Sequence, residues 1–61
     1  MPKFLIYRDR VGEYRWRLKA KNGRILADSA GGYHSAKACR RSIAKLKLQS
    51  READITRIGG G

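Results

Sequence analysis

Arg15, Arg17 and Lys19 occupy alternate positions in residues 13–20 (EYRWRLKA). In an extended chain that spacing sets all three on one face, because successive side chains of a strand point to opposite sides. A row of cations of this kind is suited to phosphate contacts. Tyr7, in residues 3–8 (KFLIYR), falls on the same face of the neighbouring segment, where its ring can stack or make apolar contact. A second row, Lys37, Arg41 and Lys45, recurs at i, i+4 and i+8, the spacing of one helix face. Residues 36–49 hold five basic side chains and no acidic one, and each like-charge i,i+4 pair costs a few tenths of a kcal/mol. A helix shaped by stability alone would place Glu among them. The two rows read as contacts for DNA or RNA, bound through phosphates with little regard to sequence. The competing reading is that they are solvated faces that keep a small protein soluble.

Other residues of chemical interest are better explained as structure. His34 precedes the second row, but no carboxylate or nucleophile has a defined place beside it, so it reads as a loop residue. Cys39 lies near the start of the same segment with Arg40 adjacent, conditions that lower a thiol pKa. It also falls on an apolar stripe, where a free Cys behaves as a small hydrophobe, and that is the preferred reading. Gly31 and Gly32 before a helix suggest an anion-binding nest, yet they lack the spacing of a phosphate-binding loop and suit a turn equally well. Trp16, the largest apolar side chain, reads as core. No catalytic, metal-binding or cofactor-binding set emerges, and no small-molecule substrate is indicated.

The elements that carry the two rows are legible from periodicity. Residues 3–8 form a strand that stops at Asp9-Arg10-Val11-Gly12, with Asp and Gly at the ends of a turn. Residues 13–20 alternate, with Tyr14, Trp16, Leu18 and Ala20 on one face and the basic residues on the other. The register that aligns Ile6 with Trp16 is preferred over one that aligns Leu5, because it buries Phe4 and Ile6 and sends Tyr7 outward. Asn22-Gly23 predicts a type I′ hairpin with Ala20 opposite Ile25 and Leu18 opposite Ala27, both inward. Residues 24–29 are the third strand. Ser35 is an N-cap, and the helix it opens runs to about Gln49, with Ala36, Cys39, Ile43 and Leu46 as the stripe that covers the sheet. Residues 51–58 (READITRI) read as a fourth strand, and residues 59–61 as a flexible glycine tail.

The chain has 61 residues with 15 Lys or Arg against 5 Asp or Glu, a formal charge of +10, and is 41% apolar. Residues 1–58 make one small domain. A domain of this size hides only ~60% of its unfolded surface, and with a single cysteine it has no internal disulfide to reinforce it. Oligomerisation is the remaining support. No apolar run approaches the ~18 residues of a spanning helix, and the first residues lack the apolar core of a signal peptide, so no membrane contact and a cytoplasmic location are expected.

The order strand, strand, Asn-Gly, strand, Gly-Tyr, Ser-capped helix resembles the YegP-like family of small bacterial and archaeal proteins. The resemblance is carried by Phe4, Ile6, Tyr7, Gly12, Tyr14, Trp16, Leu18, Lys19, Ala20, Asn22, Gly23, Ile25 and Ala27, then Gly32, Tyr33, Ser35, Lys37, Ala38 and Ile43. It spans nearly the whole chain and is most specific over residues 14–23. It implies an α+β unit, a three-stranded antiparallel sheet with one helix packed on it and a C-terminal strand exchanged in a homodimer, and it brings no established reaction or ligand. The chain departs from the family's usual pattern in its charge, in Leu5 and in Cys39. The expected role is therefore a non-enzymatic module whose testable activity is nucleic-acid binding through Tyr7, Arg15, Arg17, Lys19, Lys37, Arg41 and Lys45. Two alternatives stand beside it. One is a monomeric domain resembling the three-stranded-sheet DNA-binding domains of some phage integrases, which needs no fourth strand. The other is a module that binds an acidic protein through the same basic faces, by adding a partner strand to an open sheet edge.

Overall fold

The computed structural model describes residues 1–59. Three strands, β1 (Lys3–Arg8), β2 (Tyr14–Lys19) and β3 (Ile25–Asp28), precede one helix, α1 (Ala36–Glu52). The strands form an antiparallel sheet in the order β1-β2-β3, and α1 crosses the face of β1 and β2 without reaching β3. The α+β class and the three-strand-plus-helix layout follow the expectation. Among the described residues no helix is long and apolar enough to cross a membrane.

Both hairpins use the same turn. Gly12 N–H donates to the Asp9 carbonyl at 3.1 Å and Asp9 N–H to the Glu13 carbonyl at 2.8 Å; Gly23 and Ala20 repeat this with the Ala20 and Arg24 carbonyls at 2.9 and 2.8 Å. Gly12 and Gly23 have φ of 87° and 89°, and no non-glycine residue among those described has positive φ. Each loop is thus a type I turn closed by a left-handed glycine that forms a bulge. The expected type I′ turn is corrected here, because Asn22 does not take positive φ; its Oδ1 instead accepts from Arg24 N–H at 3.0 Å.

That turn shifts the second hairpin by one residue. Ile25 pairs with Lys19, so the expected pairing with Ala20 is overturned, and a bulge then restores the register so that Leu18 faces Ala27 as expected. Leu26 is the extra residue between the two pairs. Ile25 is consequently exposed instead of packed inward, and β3 is exposed along its length, since α1 does not cover it. In the first hairpin Ile6 pairs with Trp16 and Phe4 with Leu18, the preferred register.

The core is three buried side chains, Trp16 and Ile43 at 8% exposure and Cys39 at 0%, with Phe4, Ile6, Tyr14, Leu18 and Tyr33 packed around them. Phe4 meets Trp16 edge to face with ring centroids 5.4 Å apart, a favoured aromatic geometry. Ser29, also buried, holds the end of β3 to the centre of the sheet. Its Oγ accepts from Trp16 N–H at 3.2 Å, and its own N–H donates to the Trp16 carbonyl at 2.9 Å. Ser35 caps α1 through Oγ, which accepts from Ala38 N–H at 3.0 Å.

The helix is longer than the sequence spacing predicts, reaching Glu52 and taking in Arg51, whose charge suits the negative end of the helix. Residues 51–58 are therefore not a strand in this chain: two belong to α1, and the rest form no ladder. Backbone at Ala53 is extended, with φ −73° and ψ 134°, and Ile55 and Ile58 are 100% and 92% exposed. Gly59 is exposed, and the other residues of the expected tail, Gly60 and Gly61, lie outside the described residues.

Trp16→Ala is expected to lower stability by ~3–5 kcal/mol, most of what a domain of this size has, and Cys39→Ala far less. Urea denaturation followed by far-ultraviolet circular dichroism measures both. A Trp16→Ala variant that unfolds at the wild-type urea concentration would displace Trp16 from the centre of the core.

Candidate functional site

The sheet face turned away from α1 carries Lys3, Leu5 and Tyr7 from β1, facing Lys19, Arg17 and Arg15 from β2. This brings Tyr7, Arg15, Arg17 and Lys19 together as the alternation predicts. Two of the cations are already engaged. Arg15 Nε donates to Asp9 Oδ2 at 2.8 Å, the only ion pair among the described residues. The Arg17 guanidinium lies 4.5 Å from the centre of the Tyr7 ring and donates through Nη2 to its hydroxyl at 3.3 Å. The ring face that Arg17 covers is closed to a stacked base while that contact holds. Arg17 Nε is buried without a hydrogen-bond partner, so its guanidinium is only partly satisfied.

Asp9 organises the loop under this face. Besides Arg15, its Oδ1 accepts from the N–H groups of Val11 and Glu13 at 3.0 and 2.9 Å. The Arg15 hydrogen bond, then the Glu13 and Val11 amides, hold the Asp9 carboxyl below the usual carboxylate range, and Asp9 in turn raises the Arg15 guanidinium.

Lys3 is a residue the sequence reading did not select. It lies directly across from Lys19, and like charges facing each other across two strands repel. No ion pair relieves either one among the described residues. The signal was available in the preferred register, which already implied this pairing.

Lys37, Arg41 and Lys45 are exposed on α1, opposite the Cys39 and Ile43 side that packs on the sheet. The structure therefore does not join the helix row to the sheet row; they lie on opposite sides of a domain measuring 41 × 26 × 22 Å. The remaining helix cations form a third group. Arg40, Lys47 and Arg51 rim an open groove of about 850 Å³ between α1 and the free edge of β1, with Phe4, Ile6, Leu18, Ile43 and Leu46 as its apolar floor. Lys47 Nζ sits 6.0 Å from the centre of the Phe4 ring. The full fall of the helix stripe toward β1 was hidden from the sequence, since periodicity shows which residues share a face and not which part of that face stays uncovered.

The other candidates resolve as structure. Burial pushes the Cys39 thiol up, away from the reactive thiolate. A Cβ at Gly32 would lie 2.7 Å from both Glu13 Cβ and its Oε1. The glycine thus makes room for Glu13, and a carboxylate occupies the approach an anion would need.

Asp9→Asn keeps an oxygen for the two loop amides and removes the ion pair. The lowered pKa of Asp9 means that its contribution is complete above the unfolded value of ~3.9 and is lost as pH falls through the lower folded value. Wild type is expected to be the more stable of the two above about pH 4, with the gap closing below it. Thermal melts across pH 2–7 check this, and a gap that stays constant with pH would remove the Arg15 pair from the stability of the loop.

Residues 9–56 match the family model described as "Domain of unknown function (DUF1508)". A UPF0339 protein of Methanosarcina acetivorans is 44% identical over 55 residues, covering 90% of this chain and 93% of its own. A UPF0339 protein of Neisseria meningitidis is 50% identical over 55 residues, with 90% and 96% covered. Two solution structures share the fold. A protein from Haloferax volcanii has a TM-score of 0.84 at 37% identity, covering 93% of this chain and 95% of its own. ATU0232 from Agrobacterium tumefaciens has a TM-score of 0.68 at 43% identity, with 93% and 90% covered. From Gly12 to Ile43 the residues that carried the YegP-like resemblance lie within the matched span, and the chain belongs to the DUF1508/UPF0339 family.

Proposed function

We propose that this protein is a non-enzymatic, dimeric module that binds DNA or RNA through phosphate contacts and with little sequence preference. The observation that carries the reading is charge placed where it repels. Lys37, Arg41 and Lys45 stack along α1, and Lys3 faces Lys19 across the sheet, with no carboxylate paired to any of them among the described residues. Stability alone disfavours both arrangements. A bound polyanion relieves them.

Of the two rows, the geometry favours the helix. Arg15 is held by Asp9 and Arg17 by Tyr7, whereas the helix row is free, so the helix row supplies the leading phosphate contacts and Lys19 with Lys3 the next. Integrase-type base reading by the sheet face gains no support from cations that are already paired.

The dimer reading rests on what a single chain leaves uncovered. Residues 53–58 place Ala53 and Ile55 in strand alternation with nothing over them. Ser50 and Arg51, in the last turn of α1 before this segment, line the same groove as Pro2 and Lys3 at the start of β1. A second copy's 53–58 segment laid along the free edge of β1 pairs its backbone and drops Ile55 toward the groove floor. The exchange is reciprocal, as a two-fold arrangement requires.

Ile55→Asp is expected to convert a dimer into a monomer with a mass near 6.9 kDa, read by light scattering at micromolar concentration; wild type already monomeric there would end the exchange reading. For nucleic acid, log affinity for random duplex should fall linearly with log salt, by about 0.9 per phosphate neutralised. Replacing Lys37, Arg41 and Lys45 by Ala should flatten that slope by up to about three units and weaken all sequences alike, while Arg15→Ala should change it little. Absence of binding to DNA and RNA at low salt would transfer the basic faces to the acidic-protein alternative.

A further inference from the structure

We infer that the protein bridges two nucleic-acid segments, one seated on the helix row and one on the outer sheet face. This rests on the phosphate-binding reading above and adds to it a second, simultaneous site. The fold separates the two cationic surfaces. α1 covers the inner face of β1 and β2, Lys37, Arg41 and Lys45 point away from that contact, and Lys3 and Lys19 stand on the far side of the same sheet. No single straight duplex lies against both, because the core of Trp16, Cys39 and Ile43 is between them.

Each face is cationic by itself. The helix row has three cations, with Glu52 beyond it at the helix end. The sheet face has Lys3, Arg15, Arg17 and Lys19 against Asp9 and Asp28, the latter facing Arg17 from β3. Filling one face therefore leaves the other positive. The two bound segments also do not exclude each other. The domain is at least 22 Å through in its thinnest direction, against a Debye length of ~8 Å at physiological salt, so repulsion between phosphates on opposite sides is largely screened. Lys3 and Lys19 have Leu5 and the Arg17–Tyr7 pair beside them, and exposed Leu48 lies on the helix face that carries Lys37, Arg41 and Lys45, so each face offers apolar contact beside its cations.

The test is a capture assay. A biotinylated 30-base-pair duplex is immobilised on beads and loaded with protein, unbound protein is washed away, and a fluorescent duplex of unrelated sequence is added at about 0.1 M salt, where the Debye length is ~10 Å. Wild type is expected to retain the fluorescent duplex. Lys3→Glu with Lys19→Glu, and separately Lys37→Glu with Arg41→Glu, are each expected to load onto the immobilised duplex more weakly than wild type, through the face left intact, and to retain none of the second, with circular dichroism confirming that both variants are folded. If wild type loads onto the first duplex and captures nothing, bridging is wrong while nucleic-acid binding stands. Capture that survives the Lys3 and Lys19 reversals overturns the sheet face as the second site and assigns bridging to the helix rows of two copies. Failure to load onto the first duplex at all overturns both readings together.

Discussion

Trp16 is the residue through which every element of the fold meets the others, by its ring toward β1 and α1 and by its backbone toward the end of β3. β1 reaches it through Phe4 and Ile6, the end of β3 through the paired hydrogen bonds of Ser29, and α1 through Cys39 and Ile43. Only three apolar side chains are buried among the described residues, so there is no second cluster to share the load. A protein built this way cannot cover both faces of its sheet. One helix packs over Trp16, and whatever lies beyond its reach stays in water: β3, the outer face and the edge of β1.

That single constraint accounts for where the charges lie. A surface not needed for packing is open to selection for other purposes, and here the outer face of β1 and β2 carries Lys3, Arg15, Arg17 and Lys19, while β3 carries no cation. The loop after β1 shows the alternative treatment of a cation. Asp9 binds two amides of its own turn and then Arg15, so the same carboxylate that shapes the hairpin also removes one arginine from the free surface. The contrast between Arg15 and the helix row is the most informative electrostatic feature of the molecule. Asp9 supplies a partner for Arg15, whereas no carboxylate among the described residues pairs with Lys37, Arg41 or Lys45.

Much of this was legible in the residues. Strict alternation around Trp16 specified β2 and its two faces, Ser35 marked the helix start, and the burial of Phe4 and Ile6 selected the first register. Two features escaped for physical reasons. Asn-Gly is compatible with more than one tight turn, and the local choice falls to whether Asn takes positive φ or bonds its own side chain to the backbone; Asn22 does the latter. Residues 51–58 carry conflicting signals, since Arg51 and Glu52 are good helix formers that extend α1, while Ala53 and Ile55 alternate as a strand does. Sequence periodicity reports which faces are apolar but not which edge is within reach, so it could not show that this alternation finds no ladder inside the chain. The engagement of Arg15 and Arg17 was likewise invisible, because the alternation that groups them says nothing about Asp9 or the tilt of the Tyr7 ring.

The two parts of the proposed function pull against each other electrostatically, which makes them separable. Bringing together two chains of +10 each sets like charges close, and net charge of this size opposes association. The exchanged segment must overcome that repulsion with apolar contact from Ala53 and Ile55 and a backbone ladder, neither of which weakens when salt is added. Salt screens the repulsion and so favours the dimer. It acts in the opposite sense on phosphate binding, where each neutralised phosphate releases a counterion and added salt reverses the gain. A polyanion does what salt does for the dimer without that loss, since it neutralises both chains while holding them. Under the proposed function, nucleic acid and the second copy would thus reinforce each other, each offsetting a repulsion that the other's binding meets.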